Sequence, residues 1–175
     1  SEKPIEIQID AYIPGLIDDV IDNEGVVIKS SGAFIQGIIG IGGEKKGIIK
    51  LLVDKSDKNL DLSLIDSSLK DSIIVCGSYI NYEIYKKAKD YGVKGIICGG
   101  VDYDTISKIL GYSLGVAITG TENTTTLIIT EGFGTINMAL KTFNLLKDNN
   151  GKKTSINGAT QIRAGVLRPE IFIKS

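Results

Sequence analysis

The sequence contains no histidine and no tryptophan, one methionine, two cysteines and three prolines among 175 residues. Without histidine there is no Ser-His-Asp triad, no imidazole base and no histidine-bearing metal site. Two cysteines are too few for a secreted disulfide framework, and alone they do not make a zinc site. No apolar run approaches the ~18 uninterrupted residues of a spanning helix, and no charged-then-apolar leader opens the chain. Charge of one sign is also lacking: 20 Lys+Arg stand against 21 Asp+Glu, a net charge of −1. A generic nucleic-acid coat or a binder of anionic lipid needs a basic excess. The expectation is a cytoplasmic protein with no cofactor, no metal and no membrane, and with the charge balance against a nucleic-acid partner. The chain begins at Ser1 rather than Met, which fits a fragment or a processed form.

What is present is ordinary for a folded protein. Hydrophobic residues make up 42% and charged residues 23%, enough apolar surface to offset chain entropy. The length suits one domain, or small modules sharing a core. Thirty residues are isoleucine, which favours strands because its branched side chain fits a pleated, half-buried surface. Twenty-one are glycine, which implies many turns or close backbone approaches.

The fold class expected is α+β with an α/β unit, in three stretches. Residues 1–65 read as a small β barrel or sandwich. Alternating Ile5, Ile7 and Ile9 mark a half-exposed strand, and further strands are expected at 16–21, 26–28, 33–41 and 47–53. The pattern Gly-x-Ile-x-x-apolar at 15–20 recurs at 47–52, a weak internal repeat. Residues 66–150 read as a parallel β-α-β-α-β unit. Continuous apolar runs at 72–76 and 93–98 suit strands buried on both faces. Between them Ser78 caps a helix carrying Ile80, Ile84, Ala88 and Tyr91 on one face. A second, shorter helix holds Ile106, Ile109 and Leu110 and stops at Gly111. A third strand is expected at 115–119, a fourth at 127–130, and a helix starting at Thr135. The seven residues between Thr119 and Leu127 are too few for a parallel crossover, so those two strands should be antiparallel or not neighbours. Residues 151–175 read as a hairpin, 153–156 against 159–162 around Asn157-Gly158, with an edge strand to follow and the whole packing on the other modules.

Chemistry concentrates where the strands end. The strands end in Cys76-Gly77-Ser78, Cys98-Gly99-Gly100, Gly120-Thr121 and Glu131-Gly132, and three of these four ends lead into or toward helices. Ligands of open parallel sheets bind at the carboxyl ends of the strands, and helix N-termini attract anions. A small anion at Gly77, Ser78, Gly99, Gly100, Gly120 and Thr121 is one reading; glycine serving only to turn the chain is the other. Cys76 and Cys98 hold equivalent places on strands expected to be neighbours, roughly 5 Å apart if in register. They are redox candidates, or else small buried hydrophobes. The only two arginines, Arg163 and Arg168, lie in the tail. Their planar forks suit Glu131 or Glu170 as internal partners, or an external anion or RNA. The loop 37–47, rich in glycine with Lys45 and Lys46, lacks a phosphate-loop ending and reads as a solvated turn. No carboxylate pair or serine stands in a catalytic setting, so no catalytic residue is named.

Two partial resemblances follow from these motifs. Gly15-x-Ile17, Val20, Gly25, Ile28, Gly32 and Ile35 resemble the first half of a biotinyl/lipoyl-like barrel-sandwich hybrid domain, over about 25 residues. Lys45 and Lys46 lie too close to Gly47 to serve as the modifiable lysine of such a domain, so the fold is implied without the attachment. Over 71–121, the stretch Ala88-Lys-Asp-Tyr-Gly-Val-Lys-Gly-Ile-Ile-Cys-Gly-Gly100 is similar to swivelling β/β/α domains. That group includes phosphohistidine carriers, a role barred by the lack of histidine, and protease-associated domains. It implies a non-catalytic, mobile-adaptor role.

The functional expectation is therefore a non-enzymatic binding or adaptor module, for a small anion or a protein partner. The alternatives are a redox or enzyme subunit using Cys76 and Cys98, and an RNA-associated module reading through Arg163 and Arg168. Homo-oligomerisation is compatible with strand edges that need covering.

Overall fold

Isoleucine-rich strands bury both faces only if something covers each side of the sheet. In Ser72–Val75 all four residues are buried, and in Gly95–Val101 all seven are. Alternate side chains of these strands enter two different cores. A computed structural model describes residues 12–13, 19–22, 27–30, 32–119, 125–158 and 168–174.

The elements run β1 (Tyr12–Ile13), β2 (Asp19–Asp22), β3 (Val27–Ser30), β4 (Gly32–Gln36), β5 (Ile39–Ile41), β6 (Glu44–Leu51) and β7 (Ser72–Val75). Then come α1 (Tyr82–Asp90), β8 (Gly95–Val101), α2 (Tyr103–Thr119), β9 (Thr126–Phe133), α3 (Leu140–Asp148), β10 (Lys153–Asn157) and β11 (Glu170–Lys174). The class is mixed α+β. One sheet takes nine strands in the order β1-β4-β11-β10-β6-β7-β8-β9-β5, and β2 pairs with β3 apart from it. β6, β7, β8 and β9 are parallel, and the other pairs are antiparallel. Strands from 1–65, 66–150 and 151–175 are thus hydrogen-bonded neighbours in a single sheet.

That sheet closes on itself. β4 and β5 are separated only by Gly37 and Ile38, yet β4 pairs with β11 and β5 with β9. The Gly37 N–H donates to the Pro169 carbonyl at 2.8 Å, and the Ile38 N–H donates to the Ile129 carbonyl at 2.8 Å. One extended stretch therefore passes from one margin of the sheet to the other. Inside the closed sheet lie Ala33, Ile35, Ile156, Ile171 and Ile173 of the antiparallel strands. They share a core with Ile49, Ile73, Val75, Ile97 and Ile128 of the parallel ones, and with Phe143 and Leu146 of α3. The opposite faces of β7, β8 and β9 carry Ile74, Cys76, Ile96, Cys98, Leu127 and Ile129, covered by α1 and α2. The layers are antiparallel strands, parallel strands, then helices.

The parallel unit stands, with four corrections to the local reading. Residues 115–119 are not a strand: α2 runs unbroken through Gly111 to Thr119. A five-residue apolar run does not distinguish strand from helix, and glycine inside a helix costs only ~1 kcal/mol. The helix also supplies the crossover that parallel β8 and β9 require, so the objection from seven residues falls away. Ser78 does not cap α1; Asn81 does, its Oδ1 accepting from the Ile84 N–H at 2.9 Å. α3 starts at Leu140 rather than Thr135, because residues before it are drawn across the strand ends. β10 pairs antiparallel with β11 on one side and β6 on the other, with Asn157 opposite Glu170 and Glu44, so Asn157-Gly158 is not a two-residue hairpin turn. Gly158 packs instead against Ile41, whose carbonyl oxygen a Cβ there would meet at 2.6 Å. The strands expected at 4–9 and 159–162 lie outside the described residues.

The closure makes a stability prediction. A Cβ at Gly37 would sit 2.7 Å from Ile128 Cγ2 and 3.1 Å from the Ile129 carbonyl oxygen. Gly37→Ala should therefore destabilise by about 1–3 kcal/mol through overpacking. At Gly111, on exposed helix with open space around it, alanine should stabilise by roughly 0.5–1 kcal/mol. Urea unfolding followed by circular dichroism reads both, and equal effects at the two sites would refute the closure.

Candidate functional site

The structure brings Gly77, Ser78, Gly99, Gly100 and Glu131 together at the carboxyl edge of β7, β8 and β9. Two segments of the chain itself lie over that edge. From one side, residues 55–59 cover Gly77: the Lys58 carbonyl accepts from the Ser78 N–H at 3.2 Å, and the Ser78 hydroxyl donates to Asn59 Oδ1 at 2.6 Å. From the other, residues 134–138 cover Gly99 and Gly100: the Ile136 N–H donates to the Ser78 carbonyl at 3.2 Å, and Gly134 N–H to the Val101 carbonyl at 2.8 Å. A Cβ at Gly77 would meet the carbonyl oxygens of Lys55 and Ser56 at 2.9 Å each. One at Gly99 would meet the Gly77 oxygen and the Met138 nitrogen at 2.8 Å each. The missing side chains at these positions make room for the protein's own backbone.

Two carboxylates at this edge, Asp102 and Glu131, are held by local hydrogen bonds. Asp102 Oδ1 accepts from the Thr105 N–H at 2.7 Å and caps α2, while its Oδ2 accepts from the Tyr79 hydroxyl at 2.6 Å. Those bonds, Tyr79 first and Thr105 next, hold the Asp102 carboxyl below its usual range. The same bond to Asp102, with burial second, pushes the Tyr79 phenol up. Glu131 Oε2 accepts from the Ala139 N–H just before α3 and from the Thr130 hydroxyl, each at 3.0 Å. Asp102 thus caps α2, and Glu131 holds the residue before α3, so an external anion at either helix start would meet like charge.

Glu131 is engaged by Ala139 and Thr130 rather than by an arginine. Arg168 is exposed, and among the described residues neither it nor Glu170 forms an ion pair. Arg163, Gly120 and Thr121 lie outside the described residues.

Cys76 and Cys98 are neighbours on parallel strands, as their spacing suggested. The register sets Val75 beside Ile97, and the Cys76 N–H donates to the Ile97 carbonyl at 2.8 Å. Both are free thiols with no exposed surface, embedded between Ile74, Ile96 and the helices. The hydrogen bond that the Cys76 thiol donates to Cys98, with burial second, pushes the Cys76 thiol well up. A thiol in that state is a poor nucleophile.

The residues the sequence did not flag are aromatic. Tyr103 opens α2 and Phe133 closes β9, and Val101 pairs with Phe133 in register. Their rings stack with centroids 4.7 Å apart and planes 5° from parallel, 70% and 48% exposed respectively. Leu140 nearby in the chain is 67% exposed. Single aromatics next to Asp102 and Gly134 carry no periodic signal; a pair of solvent-facing rings at two strand-helix junctions is visible only once the strands are aligned. Along the same edge, a cavity of about 600 Å³ lies between Asp54, Asp57, Asn137, Asn144 and Lys147. The loop 37–47 is strand over most of its length, and Lys45 and Lys46 belong to β6. No group of three or more His, Cys, Asp or Glu suited to a metal ion occurs among the described residues. No helix among them is long and apolar enough to cross a membrane. Neither a protein-family model nor a curated protein sequence matches this chain.

Two measurements check this geometry. In the native protein both thiols should resist iodoacetamide and react together once urea unfolds the chain; rapid native alkylation of either would contradict their burial. The Asp102 carboxyl is lower in the fold than in the open chain, so its stabilising contribution is full above its usual value and is lost as pH falls through the native one. The acid-side slope of stability should be shallower in Asp102→Ala than in wild type, and identical slopes would remove Asp102 as an anchor of α2.

Proposed function

We propose that this chain is a non-enzymatic binding module, an adaptor that docks a protein partner through the carboxyl edge of β8 and β9. The observation that carries the reading is the exposed Tyr103–Phe133 stack. Burying apolar surface contributes roughly 25 cal/mol per Å², and rigid aromatic rings recur among the residues that dominate interface energies. Both rings are held from below, Tyr103 by the Asp102 cap and Phe133 by the β8–β9 ladder, so little order is lost when a partner covers them. Asp104 and Lys108, paired at 3.2 Å, supply a polar flank.

Two further features support a binding role over a catalytic one. The strand ends that a substrate would approach are packed by residues 55–59 and 134–138. The two thiols are buried and one is pushed toward the neutral form, against the redox alternative. The layering of antiparallel strands, parallel strands and helices supports kinship with swivelling β/β/α domains, whose adaptor members are non-catalytic. A cytoplasmic setting goes with this reading.

Site-specific photo-crosslinking tests it. p-Benzoylphenylalanine at position 133 should give one discrete adduct in the cell of origin, and the same group at exposed Lys86 on α1 should not. Tyr103→Ser should abolish the adduct without lowering the melting temperature by more than a few degrees. An adduct at twice the chain mass would make the partner a second copy. No adduct at 133, or the same pattern at 86, would overturn the proposal.

A further inference from the structure

We propose a second, separate ligand site at the other end of the parallel strands: a groove on the outer face of β6, β10 and β11 that binds a small aromatic anion, a phosphate or carboxylate carried on a flat ring. The groove holds about 540 Å³ and is lined by Lys46, Lys153, Lys174, Ser155, Phe172 and Asp71, among others. That volume is in the range of small-molecule pockets.

Strand alternation puts these groups on one face. Ile156, Ile171 and Ile173 point into the core of the closed sheet. Their neighbours Lys153, Ser155, Phe172 and Lys174 therefore point out. Lys46, Ser155 and Phe172 form one cross-strand row, since Ser155 is paired with Lys46 on β6 and with Phe172 on β11. Lys153 stands opposite Ile48 on β6. Lys174 lies one step past the Thr154–Ile173 pair, on the strand beside Lys153.

Three lysines thus face one groove on three adjacent strands, all exposed, and none forms an ion pair among the described residues. Among the described residues lining the groove the carboxylate is Asp71, 3.9 Å from Lys94, while Glu44 and Glu170 stand outward one row further on, opposite Asn157. Like charges on neighbouring strands repel, and an anion seated between them removes that repulsion. The half-buried Phe172 ring and Ile48 give the groove an apolar floor, which inorganic phosphate would leave uncovered. Lysine binds anions as a point charge without fixing their geometry, so the ring supplies the orientation. The carboxyl edge, with Asp102 and Glu131, does not offer this chemistry.

The test is a titration of the ¹⁵N-labelled protein with 1-naphthyl phosphate, followed by amide shifts. The expected result is saturable binding that moves the amides of Lys46, Ser155 and Phe172. Inorganic phosphate and 1-naphthol, each lacking half of the recognition, should bind about tenfold more weakly or worse. Lys153→Glu with Lys174→Glu should weaken naphthyl phosphate by about tenfold or more. Lys153→Gln with Lys174→Gln, which adds no new charge, should show a smaller loss in the same direction, and Lys86→Glu none. Non-saturating shifts, shifts centred elsewhere, or binding indifferent to both lysine pairs would overturn the site. Because Tyr103 and Phe133 take no part, this result is independent of the docking edge.

Discussion

The structure depends on a two-residue step. Between β4 and β5 the chain moves from pairing with β11 to pairing with β9, using only Gly37 and Ile38. Without that step the nine strands would be an open sheet with one face of the antiparallel half in water. With it, Ile35, Ile171 and Ile173 reach across to Ile73, Ile97 and Ile128 and form a sealed interior. Branched aliphatic side chains fill such a space in few rotamers and at high density. The step is tight because Ile128 lies directly against Gly37, which leaves no room for a side chain.

Closure also decides where chemistry can occur. A closed sheet with α1 and α2 on its flank leaves two exits, the ends of the parallel strands. At the carboxyl end, the chain lays its own backbone over the glycines and puts Asp102 and Glu131 at the helix termini. The Tyr103–Phe133 stack remains exposed there. At the amino end, the outward positions of β6, β10 and β11 carry Lys46, Lys153 and Lys174.

Much of the local architecture was legible in the sequence. The apolar runs 72–76 and 93–98 announced doubly buried strands, and Val-Cys-Gly and Ile-Cys-Gly placed Cys76 and Cys98 side by side, because parallel neighbours in register repeat the same offset. The second half of α2 was not legible. Gly115-Val-Ala-Ile is equally apolar in either geometry, and only the need for a crossover between β8 and β9 decides it. The partner of β10 was misread for a related reason: Asn157-Gly158 has the composition of a tight turn, but the strand that completes the ladder lies beyond Pro169. Non-local pairing leaves no mark in a window of ten residues. The strand-end glycines read in sequence as an anion site or as tight turns; that the chain's own backbone approaches them depends on loops 55–59 and 134–138, which no local pattern places there. Tyr103, Phe133 and the three lysines became visible only when strands distant in sequence were set in register.

The position of β11 has a consequence for the order of events during folding. It lies between β4 and β10, two strands that come earlier in the chain and are joined only through it. Until residues 170–174 have been made, the antiparallel half carries two open edges and an uncovered isoleucine-rich face. Long-range pairings of this kind form slowly, and unpaired edges invite pairing with other chains. The nascent chain should therefore be prone to association until β11 emerges, and a chain cut before Glu170 should be held by chaperones rather than released.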